Sequence, residues 1–325
     1  MKTASFVLMA LTLFLGEIQT QSFEVLNKNS LVYQGDVVVV KISEQLKDKG
    51  LMLSVFGESY RFNGDGIAYV GVRVDSEPKR HVLYLVETKG QEQIQYGFYY
   101  SHIEVLKKEF LINPRMPKMP RISEKERERR LIARNKEKSR IDSALGITSY
   151  NTNPASGFWS KPLNLKTLSG KPLGLDDLII TSEFGEKRKV WVYDENDKKY
   201  KLINDPHRGV DLKTYQYHKK DTNPKKQVLA IGSGVVVLTG RFSAEGNLII
   251  VDHGSGVFSL YMHLSRISIK QGSKIQAGQV MGLAGSTGAS RGPHLHLAVK
   301  VNGVNVDPTS LIGMLNLVFL NEVRQ

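Results

Sequence analysis

Cysteine is absent from the 325 residues, so no disulfide can staple the chain and no thiolate can bind a metal. Any metal must be held by nitrogen and oxygen. The H-E-x-x-H helix motif is missing too, and with it the glutamate that serves as base in that arrangement. Acidic charge is in short supply: 32 Asp and Glu against 45 Lys and Arg leave a net +13, which suits an anionic partner. No apolar run is long enough to cross a bilayer, which takes about 20 residues. The apolar stretch 6–15 follows Lys2 and precedes polar residues, the pattern of a secretory signal over 1–22. Thr20-Gln21-Ser22 offers a small-x-small cleavage site, with Phe23 as the mature start. Retention of the run as an anchor is the alternative.

Length alone makes two domains a reasonable prior. Residues 23–112 read as β, with runs such as Val37-Val38-Val39-Val40, Ala68-Tyr69-Val70-Gly71-Val72 and Val82-Leu83-Tyr84-Leu85-Val86. Gly35-Asp36, Asn63-Gly64-Asp65-Gly66 and Glu77-Pro78 separate them as turns, and the spacing suggests a small sandwich, immunoglobulin-like being one form it could take. His81 and His102 are isolated there and read as surface or structural residues. Residues 113–157 form a linker: a Pro-punctuated extended segment, then a charged helix opened by the capping box Ser123-Glu124-Lys125-Glu126 and ended at Gly146. Residues 115–140 hold eleven basic and four acidic side chains. Interleaved Glu and Arg indicate a solvated, ion-paired face, not a nucleic-acid surface. Residues 158–325 are again β, with frequent glycines between short apolar runs, which indicates a sandwich or barrel and excludes βαβ units. The apolar tail 311–320 is too short to span and reads as a packing element.

Chemistry concentrates in this last domain. In Gly292-Pro293-His294-Leu295-His296-Leu297 an extended backbone would project both histidines to one side, their Cα atoms about 7 Å apart. His207-Arg208-Gly209-Val210-Asp211 is a second pair; run straight its four steps cover about 13 Å, so a bend at Gly209 is expected. His263 lies in Tyr261-Met262-His263-Leu264. Four histidines and one carboxylate suit a catalytic zinc centre, which typically uses three protein ligands and leaves a position for water. The two remaining imidazoles could move protons near neutral pH. His253, in an Asp-His-Gly turn, reads as structural, and His218 as exposed.

The ordered set H-x-G-x-D, Y-x-H-L and P-H-L-H resembles the LytM/lysostaphin-type peptidoglycan metallopeptidases over about 158–310. Thr181-Ser182-Glu183-Phe184-Gly185, Val251-Asp252-His253-Gly254 and Gly285-Ser286-Thr287-Gly288 stand where that family has supporting pieces. The resemblance implies a two-sheet sandwich with a groove across one sheet. It implies one zinc ion per chain, ligated by His207, Asp211 and His296, with His263 and His294 as the catalytic pair. It further implies a zinc endopeptidase that cuts peptide cross-links of bacterial peptidoglycan. The signal-like run adds export to the periplasm or cell envelope with no transmembrane segment after its removal, and the ion-paired helix of an exported protein argues for no nucleic-acid partner. An inactive wall-binding relative, or an activator of another wall hydrolase, is the alternative. Some members carry an amino-terminal β domain, and such a domain here could lie over the groove as an autoinhibitory contact. Residues 186–206 and 212–227 depart from the family as longer, more basic loops.

Overall fold

The structure, a computed structural model, describes residues 22–323 apart from 90–91, 121, 147, 149–153, 158, 164–177, 195 and 215–225. Residues 1–21 of the expected signal segment and His218 lie outside the described residues.

The β-branched runs of the amino-terminal part become β1 (Phe23–Val25), β2 (Leu31–Tyr33), β3 (Val37–Ile42), β4 (Met52–Val55), β5 (Glu58–Arg61), β6 (Ile67–Gly71), β7 (Arg80–Lys89) and β8 (Glu92–Leu106). One sheet has the order β1-β3-β6, the other β2-β8-β7-β4-β5, with β2 parallel to β8. Val38, Val40, Ala68 and Val70 pack with Leu53, Leu83, Leu85 and Ile103 in one core. The alternate residues Val37, Val39, Ile67 and Tyr69 join a different core, shared with the carboxyl-terminal part. Burial on both faces is why Val37–Val40 is unbroken apolar sequence.

Helix α1 (Glu124–Leu145) starts where Ser123 accepts a hydrogen bond from the Glu126 amide and ends at Gly146. The following strands are β9 (Ile180–Ser182), β10 (Lys187–Asp194), β11 (Lys199–Pro206), β12 (Val210–Lys213), β13 (Gln227–Leu229), β14 (Gly234–Phe242), β15 (Gly246–Gly254), β16 (Val257–Leu264), β17 (Arg266–Ile267), β18 (Lys274–Ile275), β19 (Val280–Leu283), β20 (His294–Val301) and β21 (Val304–Val306). The large sheet runs β18-β14-β15-β16-β20-β12-β9, with β21 also on β20, and a smaller sheet runs β13-β19-β17. Val228 and Met281 of the smaller sheet meet Ile249, Tyr261, Leu295 and Leu297 of the larger in one core. On the opposite face Leu238, Leu248, Ile250, Leu260 and Ala298 receive Ile141, Ala144 and Leu145 of α1.

Helix α2 (Pro308–Val323) buries Leu311, Ile312, Leu315 and Val318, one helical stripe, in the shared core. Polar contacts reinforce the junction of the two parts. Asn302 donates to the Tyr69 carbonyl at 2.8 Å, and the Lys108 ammonium lies 3.1 Å from Asp307. These contacts gather around β21 and the Val301 end of β20, away from His294 and His296.

Residues 186–206, expected as a loop, are instead largely the antiparallel hairpin β10–β11. Alternation explains it: Arg188, Val190 and Val192 share one face, and Lys189, Trp191 and Tyr193 the other. The Asp194 carboxylate accepts from the amides of Asn196 and Asp197 and closes the turn. Trp191 donates its indole N–H to the Pro117 carbonyl at 2.9 Å, and the Arg127 guanidinium sits 3.9 Å from the Tyr193 ring centre. The linker and α1 therefore hold the hairpin on one side.

His253 is buried beside Trp159, their rings 4.6 Å apart. Nδ1 donates to the Ser233 carbonyl at 2.8 Å, and Nε2 is 2.7 Å from the Ser259 hydroxyl, which also bonds the Tyr261 hydroxyl. Burial pushes the imidazole down to about 4, against the opposing pull of the Ser233 carbonyl. As pH falls the unfolded chain takes up this proton first, near 6.5. The stabilisation is therefore complete above about pH 6.5 and is lost towards pH 4, by up to about 3 kcal/mol. Chemical denaturation at pH 7.0 and 4.5 should show a larger loss for the unsubstituted protein than for His253→Gln; equal losses would contradict this account.

Candidate metal centre

Strand register brings the first two groups together. Asp211 of β12 pairs directly with His296 of β20, so their side chains rise from one face, and Ser182 of β9 lies beside Asp211 in the same row. Leu212, Leu295 and Leu297 point the other way into the core. His207 arrives from the end of β11 through a bend at Gly209. Close approach explains that glycine: a Cβ there would stand 2.4 Å from the Leu297 carbonyl oxygen and 2.8 Å from His296 Nε2.

Three donor atoms converge. His296 Nδ1 is 2.8 Å from Asp211 Oδ1 and 3.0 Å from His207 Nε2, and His207 Nε2 is 3.2 Å from Asp211 Oδ1. His207 Nδ1 lies 2.9 Å from the Glu183 carbonyl oxygen. A carbonyl can only accept, so that nitrogen carries the proton and Nε2 offers a lone pair to the centre. Burial works to raise the Asp211 carboxyl, but hydrogen bonds and charge from His207 and His296 outweigh it and hold it far below the usual carboxylate range. Burial lowers His296 in spite of the Asp211 carboxylate.

His294 and His263 complete the cluster. The Nδ1 of His294 donates to the Gly292 carbonyl at 2.8 Å, with the Ser290 hydroxyl at 3.3 Å, and its Nε2 reaches to 3.6 Å from Asp211 Oδ1. His263 gets there by an irregularity. Pairing of β15 with β16 shifts between Asn247 and Ile249, leaving an extra residue on β16, and His263 adopts a left-handed φ of 62°. Its amide donates to the Glu245 carbonyl and its Nδ1 to that of Thr287, both at 2.8 Å. The ring then stands 4.8 Å from His294 and 6.0 Å from His296. Burial pushes His263 down to about 4.

All five residues singled out from sequence thus occupy one cluster, and His207, Asp211 and His296 form a group of suitable composition to hold a metal ion. His81 and His253 lie elsewhere, His81 against Phe56 and the Glu77 carbonyl. Sequence reading missed Arg188, whose Nη2 donates to Asp211 Oδ2 at 2.9 Å. The only hint was Glu186-Lys187-Arg188, an acid and a base on alternate positions. Among the described residues, no hydrogen bond or ion pair to the five comes from 22–112, so the expected autoinhibitory contact has no support.

The sequence of residues 205–308 matches the model of Peptidase family M23. The chain is 44% identical over 105 residues to DD-carboxypeptidase/endopeptidase Mpg of Neisseria meningitidis serogroup B, covering 32% of this chain and 22% of that protein. It is 43% identical over 76 residues to peptidoglycan DD-endopeptidase ShyA of Vibrio cholerae, covering 23% of this chain and 18% of that one. The chain therefore matches about a fifth of the length of these curated relatives. A crystal structure from Pseudomonas aeruginosa assigned to peptidase M23 shares the fold over 87% of this chain and 95% of its own, with a TM-score of 0.56 at 22% identity. With the motifs in family order and the matched segment carrying all five clustered residues, residues 205–308 form a peptidase M23 domain of the LytM type.

Proposed function

We propose that this protein is a zinc metalloendopeptidase that hydrolyses peptide cross-links of bacterial peptidoglycan, exported to act in the cell envelope. The observation that carries the proposal is the convergence of His207 Nε2, His296 Nδ1 and Asp211 Oδ1 on one point, with two more imidazoles beside them. Three acceptor atoms this close need a shared cation or protons, and a set of two imidazoles and a carboxylate suits zinc. The names of the Mpg and ShyA relatives support the substrate class, and the apolar stretch 6–15 supports export.

His207, Asp211 and His296 would hold the metal. Zinc, when bound, supplies a Lewis acid for the scissile carbonyl and lowers the pKa of water to about 7. His263 and His294 each fix Nδ1 on a backbone carbonyl, which leaves Nε2 as the atom that exchanges protons. One takes the proton of the attacking water at Nε2, stabilises the oxyanion in its charged form and gives that same proton to the departing amine, while the other helps to orient the water. The His294 side chain remains 19% exposed, so solvent reaches this edge of the cluster.

Two outcomes follow. Elemental analysis should find one zinc per chain, and Asp211→Ala, His207→Ala or His296→Ala should lose it; full zinc in the Asp211 variant would refute the ligand set. Digestion of purified peptidoglycan at matched zinc occupancy should fall by about 10²- to 10⁴-fold in His263→Ala and His294→Ala, with zinc retained. Unchanged rates in both would defeat the proton-transfer roles, and an inert unsubstituted protein would favour a wall-binding function.

A further inference from the structure

The two oxygens of Asp211 have different neighbours. Oδ1 faces His207 and His296, whereas Oδ2 accepts from Arg188 Nη2 at 2.9 Å. Arg188 lies on β10, ahead of the M23-matched segment, which begins at the end of β11. The same Nη2 hydrogen-bonds the Ser182 hydroxyl, and Nε is 3.4 Å from Glu186 Oε1. Glu186 is buried and in turn accepts from the Ser182 hydroxyl and from the side-chain amide of Asn113. Residues 111–113 run beside the start of β10: the Asn113 amide donates to the Lys187 carbonyl, and the Lys187 amide to that of Leu111. A chain of contacts thus leads from the interdomain segment to the outer oxygen of Asp211. The Arg188 side chain is 32% exposed, so directed bonds hold it more than burial does.

A carboxylate on a short side chain turns easily, because its terminal torsion is broad and two-fold. Left alone, Asp211 could offer either oxygen or both. We propose that Arg188 is a positioning residue for the metal centre: by occupying Oδ2 it confines Asp211 to ligation through Oδ1 alone and aims that oxygen between His207 and His296. The proposal rests on zinc occupying the centre. A planar guanidinium can serve Asp211, Ser182 and Glu186 at once, which an ammonium cannot do in the same geometry. Charge alone predicts the opposite consequence, since removing a cation beside a cation site should tighten metal binding. The sign of the effect therefore separates positioning from simple electrostatics.

The test uses the full chain as unsubstituted protein, Arg188→Ala, Arg188→Met, Arg188→Lys and Asp211→Ala. Zinc affinity is measured by chelator competition, and coordination by the visible spectrum of the cobalt(II)-loaded proteins. Arg188→Met keeps the apolar stem should the alanine variant fold poorly, and circular dichroism of the metal-free proteins checks folding. Arg188→Ala and Arg188→Met should bind zinc about 10- to 100-fold more weakly, the usual effect of losing a partner that orients a ligand. Their cobalt spectra should change as Asp211 turns to offer both oxygens. Arg188→Lys should not restore affinity, whereas added guanidinium should restore it to Arg188→Ala. Unchanged or tighter zinc binding with an unchanged cobalt spectrum, alongside metal loss in Asp211→Ala, would overturn the role of Arg188 and leave the zinc site standing. Failure of the unsubstituted protein to bind zinc would overturn both.

Discussion

Leu295 and Leu297 point into the core between the sheets, so His294 and His296, which alternate with them, must point out. The same rule governs β12, where Val210 and Leu212 are buried and Asp211 is turned to the opposite face. Each buried Val or Leu contributes roughly 1.5–3 kcal/mol relative to exposure. A slip of one residue between β12 and β20 would turn these apolar side chains outwards together. The polar side chains thus do not assemble the centre by their own attraction. Hydrophobic burial on one face of the sheet sets the register, and the register places Asp211 opposite His296.

This explains how much of the site was legible in the sequence. H-x-H in a strand has a single geometric outcome, and H-x-G-x-D needed only a bend at Gly209. The bend is present, though the glycine is also required by the Leu297 carbonyl that crowds it. The position of His263 was not legible from spacing. Ordinary alternation would put Met262, which pairs with His296, on the ligand face; the bulge and the left-handed φ bring His263 there. Neither leaves a local sequence signal. Arg188 escaped for a different reason, since its partner is 23 residues away and its stretch looked like a basic loop.

Long-range pairing similarly limited the reading of the fold. The runs in 37–40, 68–72 and 82–86 marked strands correctly, but nothing local showed that Val37, Val39, Ile67 and Tyr69 would share a core with α2 and β21. The linker helix also does more than separate two parts. Its last turns cover the large sheet through Ile141, Ala144 and Leu145, and Glu137 accepts from the Ser243 amide at 3.1 Å. Arg127, earlier in the same helix, stacks on the hairpin that carries Arg188. Linker, hairpin and centre are therefore one connected set of contacts, anchored by the sheet.

The most direct test of the centre is anomalous diffraction at the zinc edge from crystals of the zinc-loaded protein. One strong peak in bonding contact with His207 Nε2, His296 Nδ1 and Asp211 Oδ1, with His263 and His294 close by but unligated, is the expected result. A peak ligated instead by His263 and His294, or no peak at the cluster, would contradict it.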